Sequence, residues 1–128
     1  MKVIKFKPTY LKDNGVAVIY NKSIPFDNSF NFLPEECGLI SILPGAFGGN
    51  HKHPRIEAFY TPGDLNIIWI GSNGLKHEEK MSPANGDYKL FITSPFEPHV
   101  IVNKTSVNQE LMEFATEPQH DVEPVKII

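Results

Sequence analysis

The chain of 128 residues reads as an all-β domain, a sandwich or barrel, on three observations. Eleven prolines and nine glycines cut it into short runs. Those runs are rich in Ile, Val, Phe and Tyr rather than in helix formers, and none has the length and period of an amphipathic helix. Nine short runs at close spacing then suit two packed sheets or one closed sheet, and closure also removes exposed edges.

The expected strands, in order, are 2–7 (K-V-I-K-F-K), 16–20 (V-A-V-I-Y), 29–33, 38–43 (G-L-I-S-I-L), 56–61 (I-E-A-F-Y-T), 65–70 (L-N-I-I-W-I), 88–93 (Y-K-L-F-I-T), 100–103 (V-I-V-N) and 110–116 (E-L-M-E-F-A-T). Turn chemistry separates them: Asp13-Asn14-Gly15, Pro44-Gly45, Pro62-Gly63-Asp64, Ser72-Asn73-Gly74 and Asn85-Gly86-Asp87. The step Tyr60-Thr61-Pro62-Gly63-Asp64-Leu65 reads as a hairpin that turns the strand of Glu57 back as the strand of Trp69. Residues 71–87 read as a polar loop, and the tail 117–128 as either a covering strand or a frayed end.

Size and charge narrow the function classes. A chain of this length is one domain, residues 1–128, able to bury about two-thirds of its unfolded surface without staples. A net charge of -3 with no Lys/Arg-rich stripe argues against a nucleic-acid surface, which needs clustered positive charge. The start M-K-V-I-K-F-K has no long apolar segment and no run approaches a membrane span, so the expectation is a cytoplasmic protein with no membrane partner. Cys37 is alone and reads as an ordinary buried thiol.

The chemistry gathers at His51, His53, Glu57 and His99. The first three read H-K-H-P-R-I-E, and residues 51, 53 and 57 share a parity, hence a face of an extended chain. His99 opens the apolar run H-V-I-V-N and can point inward too. One such histidine alone would be an ordinary core or surface residue; the four together fit one divalent metal. Imidazole with carboxylate suits Zn, Fe, Ni, Cu or Mn better than Ca or Mg.

These residues resemble the cupins. The first cupin motif is matched by Gly45, His51, His53, Glu57 and Gly63, with one residue missing near the end, over about 45–63. The second, over about 86–103, keeps Pro95, His99 and Asn103, whereas Glu97 stands near the family's glycine and Gly86 lies eight residues before Pro95. The resemblance implies a double-stranded β-helix, a jelly-roll barrel, holding one metal on His51, His53, Glu57 and His99, with Asn103 supporting the second motif.

Three imidazoles and one carboxylate leave an octahedral ion two open positions, which makes catalysis possible. Three functions stay open. The first is a metal-dependent isomerase or epimerase on a small polar compound such as a sugar derivative, suggested by the likeness of G-N-H-K-H at 49–53 to cupins of surface-polysaccharide pathways. The second is an Fe(II) dioxygenase, and the third a non-catalytic metal- or ligand-binding module. A base near the metal favours the first, oxygen uptake the second, and an occluded ion the third. Tyr60, His77 and Glu97 are the weak candidates for that acid or base. Lys52 and Arg55 flank His53 and either receive an anionic group or are plain surface charges. His77-Glu78-Glu79 resembles the start of a zinc-protease motif, but Met81 stands where its second histidine belongs. His120 lies outside both motifs. A homodimer is expected, because the apolar strand 2–7 is an edge that pairing would hide.

Overall fold

The computed structural model describes residues 1–26 and 33–128. Two antiparallel five-stranded sheets face each other. The first runs β1 (Lys2–Phe6), β9 (Tyr88–Ile92), β6 (Glu57–Tyr60), β11 (Gln109–Ala115), β4 (Glu36–Ile42). The second runs β12 (Glu123–Pro124), β5 (Phe47–Lys52), β10 (His99–Val102), β7 (Asn66–Ile70), β8 (Lys76–Lys80). From β4 onward the chain passes from one sheet to the other at every step but the β7–β8 hairpin. This is the jelly roll that the resemblance implies. A short pair, β2 (Tyr10–Leu11) with β3 (Ala17–Val18), and a 3-10 turn at Asn21–Ser23 complete the N-terminal region. Among the described residues no helix is long and apolar enough to cross a membrane.

Three apolar layers follow from strand alternation. Between the sheets lie Ile42, Phe59, Ile67, Trp69, Phe91, Ile101 and Leu111. Behind the first sheet, Ala58, Tyr60, Leu90, Ile92 and Phe114 pack with Phe6 and Ile24 from the N-terminal segment. Behind the second, Ile68, Val100 and Val102 are covered by Ile127 of the tail. The tail is therefore a cover, and its Glu123–Pro124 pairs with β5.

Several expectations change. The step from Tyr60 to Leu65 is not a hairpin, because β6 and β7 belong to different sheets. Thr61 anchors this corner by donating to the Glu110 carbonyl at 2.6 Å, and Gln109 Oε1 accepts from the Asp64 amide at 2.9 Å. Residues 76–80 form an edge strand rather than loop; all five side chains are exposed, and their charge blunts the edge. Phe47–Lys52 is a strand despite two glycines and an asparagine, carried by pairing with β10. The expected strand 29–33 lies, but for Leu33, outside the described residues. Cys37 is exposed on β4 rather than buried.

Candidate metal centre

The four expected ligands come from both sheets. His51 is the last residue but one of β5, His53 follows that strand, Glu57 opens β6 across the barrel and His99 opens β10 beside β5. Parity therefore does not place 51, 53 and 57 on one strand face; the chain turns the corner at 53–56 and brings Glu57 round to face the histidines. A local backbone device seats His99. Gly49 has φ +102°, and a Cβ there would lie 2.8 Å from the His99 carbonyl oxygen, so only glycine lets β5 approach β10 where their register shifts between His99 and Val100. The two motifs are stitched together, since the Phe96 amide donates to the His53 carbonyl at 2.7 Å.

The three imidazole rings sit with centroids 5.0–5.2 Å apart, and one donor atom from each of the four residues lies within 4.8 Å of the others. Hydrogen bonding fixes which nitrogens face inward. His53 Nδ1 is 3.0 Å from the Arg55 carbonyl and His99 Nδ1 is 2.8 Å from the Glu97 carbonyl. A carbonyl only accepts, so both Nδ1 atoms carry the proton, and each neutral ring presents its Nε2 lone pair. Both Nε2 atoms approach one atom, Glu57 Oε1, at 2.8 and 3.2 Å. Three acceptors converging on one point repel unless a cation lies among them. This donor set fits a divalent metal, and the residues that would hold it are the four named.

Charge states agree with that role. Burial and the neighbouring His99 and His53 push the His51 pKa down to about 4, leaving its ring neutral near pH 7. Burial opposes ionisation of Glu57, but in the metal-free centre a proton on the His53 and His99 Nε2 atoms plays the part of the cation, and their hydrogen bonds outweigh burial and hold its carboxyl well below the usual carboxylate range.

Arg55, the residue read as an anion receptor or surface charge, is neither. Its guanidinium is buried and all five N–H donors are engaged: Nε and Nη2 on Glu57 Oε2 at 2.9 and 2.6 Å, Nη1 on Glu36 at 3.0 Å and the Glu117 carbonyl at 3.2 Å, and Nη2 on Glu113 at 3.1 Å. The fork ties up Glu57 Oε2 and leaves Oε1 for the centre. Lys52 points to the tail instead, 3.6 Å from Glu123.

A cavity of about 200 Å³ adjoins the cluster, walled by Ile40, Ile42, Phe59, Ile101 and Leu111, with Glu113 and Gln119 as polar features beside His51, Glu57 and His99. Burial and the nearby Glu57 raise the Glu113 pKa against the pull of Arg55. None of the three expected acid–base candidates stands on this wall. Tyr60 points to the opposite side of β6, into the layer behind the first sheet. His77 stacks on Trp69, centroids 5.3 Å apart, at a separate open cleft. The Glu97 carboxylate, at that same cleft, accepts from the Ser94 amide and the Met1 amino group. Sequence reasoning passed over Glu113, although its signal was legible: a carboxylate between Met112 and Phe114 on an apolar strand, with the parity of buried Leu111. Asn103 is buried, donating through Nδ2 to the Ile42 and Val107 carbonyls at 2.8 Å each, while its Oδ1 accepts from the Thr105 amide at 2.9 Å. His120 is exposed and pairs with Glu117 and Asp121, away from the centre.

No family model and no curated protein sequence matches the chain. Solved structures do. A dTDP sugar isomerase from Desulfovibrio desulfuricans G20 superposes with a TM-score of 0.75 at 11% identity, covering 96% of this chain and 83% of that one. The capsular polysaccharide assembling protein CapF from Staphylococcus aureus gives 0.63 at 19% identity over 72% of this chain, which spans 27% of CapF. An oxalate decarboxylase from Lactobacillus farciminis gives 0.56 at 19% identity, over 69% of this chain and 25% of that one. At these identities the likeness is one of fold.

Proposed function

We propose that this chain, which shares the cupin fold of those structures, is a metal-dependent isomerase-type enzyme that moves a proton on a small oxygen-bearing molecule. The observation that carries this reading is Glu113, whose carboxylate stands on the wall of the cavity that the metal cluster also lines. A divalent ion held by His51, His53, Glu57 and His99 would supply a Lewis acid at the inner end of that cavity. Glu113 would take up and return the proton. Its raised pKa favours a base that is readily reprotonated, and Arg55 holds the carboxylate by one oxygen while the other stays available. The fold likeness to a sugar isomerase supports the reaction class.

The test is exchange of the α-proton of small carbonyl compounds with deuterated solvent, followed by NMR on metal-loaded protein. Wild type should exchange at least one such compound, and Glu113→Gln should lower the rate by about a hundredfold or more while keeping its metal. Equal exchange by Glu113→Gln would remove Glu113 from the chemistry. Oxygen uptake by the Fe(II) form, insensitive to that substitution, would replace this reading with a dioxygenase. A loaded protein that neither exchanges nor consumes oxygen would be a binding module.

A further inference from the structure

We propose that the cavity's ligand is a small carbonyl compound with a branched aliphatic or aromatic flank, carrying at most one negative charge. This rests on the metal-dependent reading above and names its substrate class. Size is the first constraint. A dry cavity of about 150 Å³ accommodates benzene, so one of about 200 Å³ encloses about eight non-hydrogen atoms of a ligand. A nucleotide is far larger.

Polarity is the second constraint, and the cavity has two ends. Ile40, Ile42, Phe59, Ile101 and Leu111 form an apolar pocket, and the hydrogen-bonding side chains are those of the metal cluster with Arg55, of Glu113 and of the exposed Gln119. A ligand satisfies both ends with its oxygens at the cluster and a hydrocarbon flank against the aliphatic wall. A hexose ring, polar around its whole rim, would leave hydroxyls facing Ile40 and Leu111 without partners.

Charge is the third constraint. Among the described residues the only Lys or Arg on the cavity wall is Arg55, and all five of its donors are taken by Glu57, Glu36, Glu113 and the Glu117 carbonyl. A phosphate or diphosphate would face Glu113 with no free guanidinium or ammonium group to offset it. One carboxylate or enolate, balanced at the metal, is what the wall tolerates.

Gly48 provides a probe of this assignment. It lines the cavity, and a Cβ built on it meets only Ile42 Cδ1, at 4.0 Å, so a methyl group can be added without a clash. Calorimetric titration of metal-replete wild type with 3-methyl-2-oxobutanoate should show binding, and dTDP-glucose should bind at least about tenfold more weakly. Gly48→Val, checked for fold by circular dichroism and for metal by elemental analysis, should weaken 3-methyl-2-oxobutanoate about tenfold or more and leave glyoxylate, which lacks the flank, unchanged. Gly48→Ala should show the same trend at smaller size, and serves if the valine variant does not fold. Absence of binding by the branched oxo acid, tighter binding of dTDP-glucose, or Gly48 variants that bind the branched acid as wild type does would each overturn the proposal. Failure of the underlying reading shows separately, as wild-type protein that takes up no stoichiometric metal.

Discussion

Arg55 sets the electrostatics of the centre. It holds Glu57 through two N–H bonds and shares its charge with Glu36 and Glu113, so three carboxylates depend on one guanidinium. Removing one partner of a buried ion pair leaves the others desolvated and unpaired, which costs about 3–5 kcal/mol. Arg55→Leu should lose about that much in urea unfolding. A loss below about 1 kcal/mol would show that water already solvates this network. Sequence spacing could not reveal this role, because the partners of Arg55 other than Glu57 lie 19, 58 and 62 residues away. The candidate ligands were legible as a set for the opposite reason, since H-K-H-P-R-I-E and H-x3-N are short spacings, although the corner at 53–56 that turns Glu57 toward the histidines was not. Phe96 gives a similar contrast. It has φ +60°, so the left-handed turn before His99 falls one residue earlier than the glycine comparison suggests, on a residue with no intrinsic preference for it.

At the scale of elements, the strands with β-branched and aromatic alternation were readable and those without it were not. β6, β7 and β9 fall within the expected runs and β11 is displaced from its run by one residue, since each has an apolar face to bury. β5, with the sequence F-G-G-N-H-K, has almost no strand propensity of its own, and Gly49 serves the close approach to β10 instead. β8 has no apolar face at all and is a strand because β7 needs a hydrogen-bonded neighbour. The β5–β10 approach yields a prediction. Gly49→Ala combines a disfavoured φ with a methyl 2.8 Å from the His99 oxygen and 3.1 Å from Val100 Cα, and should cost at least about 2 kcal/mol. Because the clash falls on the backbone of His99, metal affinity should drop with stability, whereas Gly74→Ala, strained in φ but in open space, should lower stability and leave metal affinity intact. Calorimetric metal titration of the two variants separates these effects.

At the scale of the whole molecule, pH and association are the testable properties. His51 in the folded protein has its pKa lowered to about 4 from 6.5, so between those values the unfolded chain binds the additional proton and stability rises with pH. Its contribution is present above about pH 6.5 and lost as pH falls toward 4. Glu57, also depressed, extends the loss below its ordinary value of 4.5. Glu113 and His120, both raised, act in the opposite sense, and His120 is exposed and screened. Chelator-treated protein should therefore melt progressively lower from pH 7 to pH 4, and His51→Asn should flatten the upper part of that limb. A melting temperature independent of pH over this range would contradict the burial of His51. Association is the second property. β1 is the outer strand of the first sheet, with its far edge unpaired among the described residues, so it is available for pairing with a second copy. Light scattering at micromolar concentration should report twice the chain mass, moving toward the single mass when residues 1–8 are deleted; a wild-type monomer at every concentration would rule the pairing out.

The passage of the chain from sheet to sheet bears on the order in which the molecule forms. His51 and His53 are near neighbours in sequence, but Glu57 belongs to the opposite sheet and His99 arrives 42 residues after it. Strand pairings between remote segments are slow, because loop closure must precede any reward in contacts. The complete donor set therefore exists only after both sheets have closed on each other, and an ion cannot template the early steps of folding as it does in a small zinc domain whose ligands are local. If the centre takes a metal, its capture would mark the last event in refolding, and the clock for loading the protein would be the closing of the barrel rather than the encounter with the ion.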